Sequence, residues 1–237
     1  MGRGLLRTAI ERGVFFLAVA IFVLVTAVSS AHADAISIGY SIDGGAITSL
    51  GSSITGNFSV TGTSIGAFTF NNISGTGSPI LSEPQLSTSS LNVQSGAGSH
   101  TLNVFITEQG LSFPSGVNSF LSSFNSQTFS GSISSVLEQT FIDTTNGLWG
   151  GTLLASANFT GIGSTSSTNN SPSLGPNPYS ETVEYTITTY GVGNVNDTID
   201  INLGQSTSVP EPSTLVLTGF GLSGLLLLVS KRRLNIA

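Results

Sequence analysis

The sequence predicts an all-β fold: an antiparallel β-sandwich, jelly-roll-like in type, between an N-terminal signal peptide and one C-terminal transmembrane helix. Three observations predict it. Apolar residues recur at every second position in many short runs, with Ser and Thr between them, as in half-buried antiparallel strands. Clusters of Gly, Asn, Ser and Pro separate the runs, which is turn chemistry. All six basic residues of the 237-residue chain lie at its ends, beside the two most apolar stretches.

The first 33 residues read as a secretory signal. Arg3, Arg7 and Arg12 form a basic start, Val14 to Val28 an apolar run, and Ala31-His32-Ala33 a small-residue site with cleavage predicted after Ala33. Ala31 and Ala33 are the residues a signal peptidase reads.

The exported domain is assigned to 34–208. Ile36, Ile38, Tyr40 and Ile42 open it in strict alternation, followed by Phe58 with Val60 and Phe68 with Phe70. Leu102, Val104 and Ile106 share one face; so do Leu153, Ala155, Ala157 and Phe159. Val183, Tyr185 and Ile187 face one way with Thr182, Glu184, Thr186 and Thr188 opposite, and Ile199, Ile201 and Leu203 repeat the pattern. Turns are expected at 43–45, 71–79, 94–98 and 161–178, and the stretch 161–180 reads as one long exposed loop. One or two helical turns are expected around Val117–Phe124 or Ile133–Phe141. A single domain is favoured, because the strands after 180 are too few to close a core alone.

Charge restricts what this domain binds. Between Asp34 and Val209 there is no Lys or Arg, while ten carboxylates remain and His100 is the only histidine. Such a surface repels phosphate backbones, so nucleic acid is excluded as a partner. The chain has no cysteine, so buried apolar area must hold the fold without disulfides.

The tail, 209–237, divides into a motif at 209–214, a transmembrane segment at 214–230 and a basic cluster at 231–233. Leu215 to Ser230 is free of charge, and Lys231, Arg232 and Arg233 fix the orientation with the domain outside the cytoplasm. Pro210 and Pro212 flank Glu211; the prolines keep the helix from starting upstream and leave an extended peptide above the lipid. Motif, span and basic cluster in that order resemble the PEP-CTERM sorting tail of Gram-negative bacteria. That resemblance implies recognition by exosortase, a membrane transpeptidase-like enzyme, with Pro210, Glu211 and Pro212 as the residues read and Lys231, Arg232 and Arg233 as the basic stop. It also implies export through the inner membrane as a transient single-pass intermediate and a final place at the cell surface or in the extracellular, exopolysaccharide-containing matrix of a biofilm.

No enzyme is expected. Gly62-Thr63-Ser64-Ile65-Gly66 has the G-x-S-x-G spelling of a nucleophile elbow, with His100 and Glu83 as formal partners, but the strand-turn-helix setting is absent. One histidine and no cysteine make a poor zinc site, and no metal site or cofactor is assigned. Calcium suits carboxylates better, yet Asn194, Asn196, Asp197, Asp200 and Asp43 lack the spacing of a calcium loop. The expected role is a structural surface or matrix protein. The alternative is a carbohydrate-binding module for exopolysaccharide, in which Trp149, set in Asn146-Gly147-Leu148-Trp149-Gly150-Gly151, would stack on a sugar ring; the bland reading of Trp149 is a cap on a sandwich edge.

Overall fold

The computed structural model describes residues 35–204, and these form strands joined by turns. In chain order they are β1 (Ala35–Ile42), β2 (Thr48–Ser53), β3 (Asn57–Ile65), β4 (Phe68–Thr76), β5 (Leu86–Ser95), β6 (His100–Leu111), β7 (Ser119–Asp143), β8 (Thr152–Phe159), β9 (Gly163–Asn170) and β10 (Tyr179–Leu203). Every pairing is antiparallel.

Two strands organise the rest. β7 and β10 are 25 residues each, well beyond ordinary strand length, and pair along nearly their whole extent. The first part of β10 also pairs with β6, and the last part with β5. The first part of β7 holds β9 on its other edge, and the last part holds β8. One continuous sheet thus has two halves, β2-β1-β6-β10-β7-β8 and β3-β4-β5-β10-β7-β9.

The halves fold face to face about a bend where the ladder skips from Thr189↔Ile133 to Gly193↔Gly131. Gly131 makes the bend possible. Its φ is 69°, and a Cβ there would lie 2.4 Å from the Val192 carbonyl oxygen. Closure shows in a hydrogen bond across the sandwich between two residues of the same strand, Ser122 and Thr140 of β7, at 2.7 Å. Ile36 and Ile106 of one half meet the backbone of Gly75 on the other; a Cβ on Gly75 would lie 2.5 Å from Ile106. The expected sandwich is therefore present, with layers joined by folded-over strands as well as by loops.

The alternation read from sequence places the core correctly over most strands. Ile36, Ile38, Leu102, Val104, Ile106, Val183, Tyr185, Ile187, Ile199 and Ile201 are all fully buried. Four expectations are corrected. The stretches offered as helical turns, 117–124 and 133–141, lie largely or wholly in β7; its inward positions include Ser122, Ser126, Glu138 and Thr140, which hides the period-two pattern. The long loop at 161–180 contains β9, a polar edge strand held by its backbone ladder to Ser119–Ser126 of β7. The turn placed at 71–79 starts too early, because β4 runs to Thr76. Leu153 is exposed and Leu154 buried in its place, since a register shift opposite Thr140/Phe141 exchanges them.

The signal segment with Ala31 and Ala33, the transmembrane segment and the sorting tail lie outside the described residues. Among the described residues no helix is long and apolar enough to cross a membrane.

Candidate functional site

Trp149 is positioned by a loop that folds back over the outer face of the β1–β6–β10 sheet. At the end of β7 the Asp143 carboxylate accepts bonds from the Thr145 amide (2.8 Å) and hydroxyl (2.7 Å), nucleating the turn. The Thr145 hydroxyl is the main reason the Asp143 carboxyl is held below its ordinary range. Asn146, at φ 60°, then locks to β6: its Oδ1 accepts from the Gly110 amide at 2.8 Å and its carbonyl from Gln109 Nε2 at 2.7 Å. Ser180 donates to the Gly147 carbonyl at 2.6 Å. The Trp149 amide donates to Thr107 Oγ1 at 3.3 Å, and Gly150 N to Thr182 Oγ1 at 3.4 Å.

The indole is half-buried in a slot left by a missing side chain. A Cβ on Gly39 would stand 3.0 Å from the indole Cη2 and Cζ2. Phe105 flanks it, ring centroids 6.1 Å apart and planes tilted by 56°. Along the same outer face Asn103 Nδ2 donates to Glu184 Oε1 (2.7 Å) and to Thr186 Oγ1 (3.0 Å). The Phe105 ring is itself buried, so the apolar surface on offer is the accessible part of the indole, beside a carboxamide–carboxylate network that can partner sugar hydroxyls. The packed part of the ring lies over the outer face of the sheet, against Gly39 and Phe105.

The residues weighed for catalysis are not brought together. Ser64 lies in β3 and bonds to Thr69 across the hairpin at 3.1 Å. Glu83 Oε2 accepts from the Ser112 and Phe113 amides, both at 2.8 Å. His100, the first residue of β6, pairs through Nδ1 with Asp43 Oδ2 at 2.9 Å. Asp43 also accepts from the Thr101 amide at 2.8 Å, and this bond first, then His100, lowers its pKa. Of the residues weighed for calcium, Asp197 is buried in the interior while Asn196 and Asp200 lie on the opposite side of β10. Among the described residues no three His, Asp or Glu side chains gather as a metal site.

Sequence reasoning missed the burial of four carboxylates, one of which, Asp197, it weighed only for calcium. Glu108, Glu138, Glu181 and Asp197 are completely buried. Glu181 stands opposite Glu108 across β10 and β6, and Glu108 Oε1 accepts from the Ser78 amide at 2.6 Å. Neither carboxylate oxygen of Glu181 finds a hydrogen-bond partner. Burial first, then the nearby Glu108 and Glu83 carboxylates, pushes its pKa well up, so it is held as the neutral acid. Glu138 and Asp197 interact across the interior. Burial first, and then the Asp197 charge, pushes Glu138 up to about 9, while burial raises Asp197 to about 6. Tyr185, paired with Glu138 in the ladder, hydrogen-bonds through its hydroxyl to Thr88, whose Oγ1 in turn accepts from the Ile199 amide at 2.7 Å. These groups form a polar seam through the core. The signal was present in the sequence: Glu108 and Glu181 have the same parity as the apolar residues next to them on their strands.

Comparison with curated proteins returns no match. Among solved structures, TmCBM61 in complex with β-1,4-galactotriose aligns at 9% identity over 70% of this chain and 88% of its own, with a TM-score of 0.30. TmCBM27, a carbohydrate-binding module described for specific mannan recognition, aligns at 8% over 64% of this chain and 91% of its own, TM-score 0.31. The enzymatically active domain of bacteriophage CBA120 tailspike protein 4 aligns at 12% over 64% of this chain but only 20% of its own, TM-score 0.32. Likeness this loose transfers no site. The family model for the PEP-CTERM protein-sorting motif matches residues 208–233, taking in Pro210-Glu211-Pro212, the charge-free run and Lys231-Arg232-Arg233, so the tail of the chain carries the PEP-CTERM protein-sorting motif.

Proposed function

We propose that the protein is a structural component of the cell surface or exopolysaccharide matrix, exported through its signal segment, held transiently in the inner membrane and processed by exosortase at the Pro210-Glu211-Pro212 motif. The observation that carries this reading is the sorting motif at 208–233, with its basic cluster at the end of the apolar run. The domain ahead of it is suited to a passive role. It has no Lys or Arg, its layers are continuous through two folded strands, and its candidate nucleophile, base and acid are each committed to separate local contacts. Residues 205–237 fused to an exported reporter test the sorting step. Processing is expected in the wild-type host and is expected to stop in an exosortase-null strain; identical processing in both strains refutes it. Intact mass of the protein from its host checks the cleavages after Ala33 and near Glu211.

The outer-face arrangement of Trp149, Phe105, Asn103 and Glu184 supports a second reading, a carbohydrate-binding module for exopolysaccharide. Pull-down with the host's polysaccharide is expected to retain the protein and to lose it with Trp149→Ala. Equal retention of both proteins, or of neither, overturns this reading and leaves the structural one standing.

A further inference from the structure

Gly39 of β1, Phe105 of β6 and Glu184 of β10 lie side by side in one cross-strand row of the outer face, and Gln139 of β7 continues it. Tyr185, next in the chain, is fully buried, so Glu184 points outward. The indole of Trp149 lies over Gly39 at one end of this row. With neighbouring strands about 4.8 Å apart, Gly39 and Glu184 are separated by about 10 Å across the sheet. Glu184 is oriented by Asn103, whose Nδ2 donates to its Oε1 at 2.7 Å and also to Thr186 Oγ1 at 3.0 Å. That bond occupies Oε1 and leaves Oε2 available to a ligand. No positive group answers the carboxylate from within the domain. Residues 35–204 contain no Lys or Arg, and their one histidine, His100, is bonded to Asp43.

We propose that this face binds a polysaccharide bearing free amines, whose ammonium groups pair with the Glu184 carboxylate while the indole of Trp149 packs on a neighbouring sugar ring. The proposal rests on the carbohydrate-binding reading and names the class of sugar. Charge decides the class. A polymer carrying uronic acid or phosphate meets a domain with carboxylates and no Lys or Arg, so it is repelled and nothing on the face neutralises it. A neutral polymer gains the indole and the amides of Asn103 and Gln139, but leaves Glu184 without a partner of opposite sign. A protonated amine adds a charge-assisted hydrogen bond at Oε2, about twice as strong as a neutral one. Spacing decides the size. With about 10 Å between Gly39 and Glu184, the indole and the carboxylate address different units of one chain, so the ligand is a polymer rather than a single sugar.

Titration calorimetry of the exported protein at about pH 6 compares β-1,4-linked oligomers of glucosamine and of N-acetylglucosamine, equal in length and differing only in the free amine. A uronic-acid oligomer serves as the third probe. The glucosamine oligomer is expected to bind about fivefold or more tighter than the acetylated one, and the uronate not at all. Glu184→Gln keeps the acceptor for Asn103 and is expected to bring the two oligomers to equal affinity. Asp200→Asn makes the same change in net charge on the outer face of the other half, and is expected to leave the preference within twofold. Equal affinities in the wild type overturn the proposal, as does uronate binding at the level of glucosamine. A preference lost equally in Asp200→Asn belongs to the overall charge of the domain and also overturns it. Failure of every oligomer to bind, with the host's polysaccharide still retained through Trp149, overturns the amine proposal alone. Failure of both removes the carbohydrate-binding reading with it.

Discussion

Glu138→Gln should make the protein more stable at neutral pH, because it replaces a fully buried carboxyl group by an amide that cannot ionise. Glu138 faces Asp197 and the Asn125 backbone from the other layer, where Ser126 pairs with Asp197, with Tyr185 beside Glu138 on β10 and Ala157 beside it on β8. None of these is a cation, and the only base among residues 35–204, His100, is committed to Asp43. Burial and the Asp197 charge raise its folded pKa from 4.5 to about 9. Between those values the folded state holds a proton that the unfolded chain releases. The stability is therefore fully present below pH 4.5 and is lost as pH rises towards 9, with a slope of about 1.4 kcal/mol per unit. From pH 4.5 to 7 the loss is about 3 kcal/mol, a large fraction of a domain's net stability. Glutamine keeps the shape of the neutral acid and cannot ionise, so Glu138→Gln should abolish most of this slope and also weaken the pull on Asp197. Urea unfolding of the exported protein, followed by the emission of Trp149, the single tryptophan, measures it across pH 4.5 to 8. The difference between variant and wild type should be small at the acid end and widen to about 3 kcal/mol at pH 7. Parallel curves across the range would show that Glu138 does not carry the proton, and the account of the polar seam would fail with it.

Other expectations follow from single contacts. Gly131→Ala places a methyl 2.4 Å from the Val192 carbonyl at a residue with φ 69°, and should cost about 3 kcal/mol in urea unfolding, with splayed layers reported by faster amide exchange near the bend. Gly39→Ala fills the indole slot to 3.0 Å and should red-shift Trp149 emission while costing only about 1 kcal/mol; an unchanged spectrum would place the indole elsewhere. Asp143→Ala removes both Thr145 bonds, and amide exchange over 144–150 should quicken while β7 and β10 stay protected. Because the Asp143 pKa is lowered in the fold, its contribution is present above the unfolded value near 3.8 and fades as pH falls below it, the opposite trend to Glu138.

The strands were legible in the sequence to the extent that inward residues were apolar. Val183, Tyr185 and Ile187 announce their face, and the structure buries all three completely. β7 was not legible because its inward row mixes Phe120, Phe124, Val136 and Ile142 with Ser122, Ser126, Glu138 and Thr140, and a period-two search in hydrophobicity cannot follow a row whose chemistry changes. The hydroxyls there are satisfied only by the far layer, as Ser122 is by Thr140, so their burial depends on a long-range contact that no local window contains. β9 failed for the complementary reason: nothing in GSTSSTNN is apolar, and it is a strand because β7 offers an unpaired edge. At the Trp149 site, the aromatic and its glycine-rich loop were visible, but Gly39 is the residue that sets where the ring lies, and its role depends on strands β1 and β6 being neighbours. Two of the interior acids could have been found by parity alone. Continuing the inward row of Leu102, Val104 and Ile106 by one step reaches Glu108, and stepping back from Val183 reaches Glu181. Two acids on inward rows of a domain without Lys or Arg leave protonation as the means the sequence itself provides to neutralise them, so the raised pKa of Glu181 was in principle readable before any coordinates, whereas that of Glu138, on the mixed row of β7, was not.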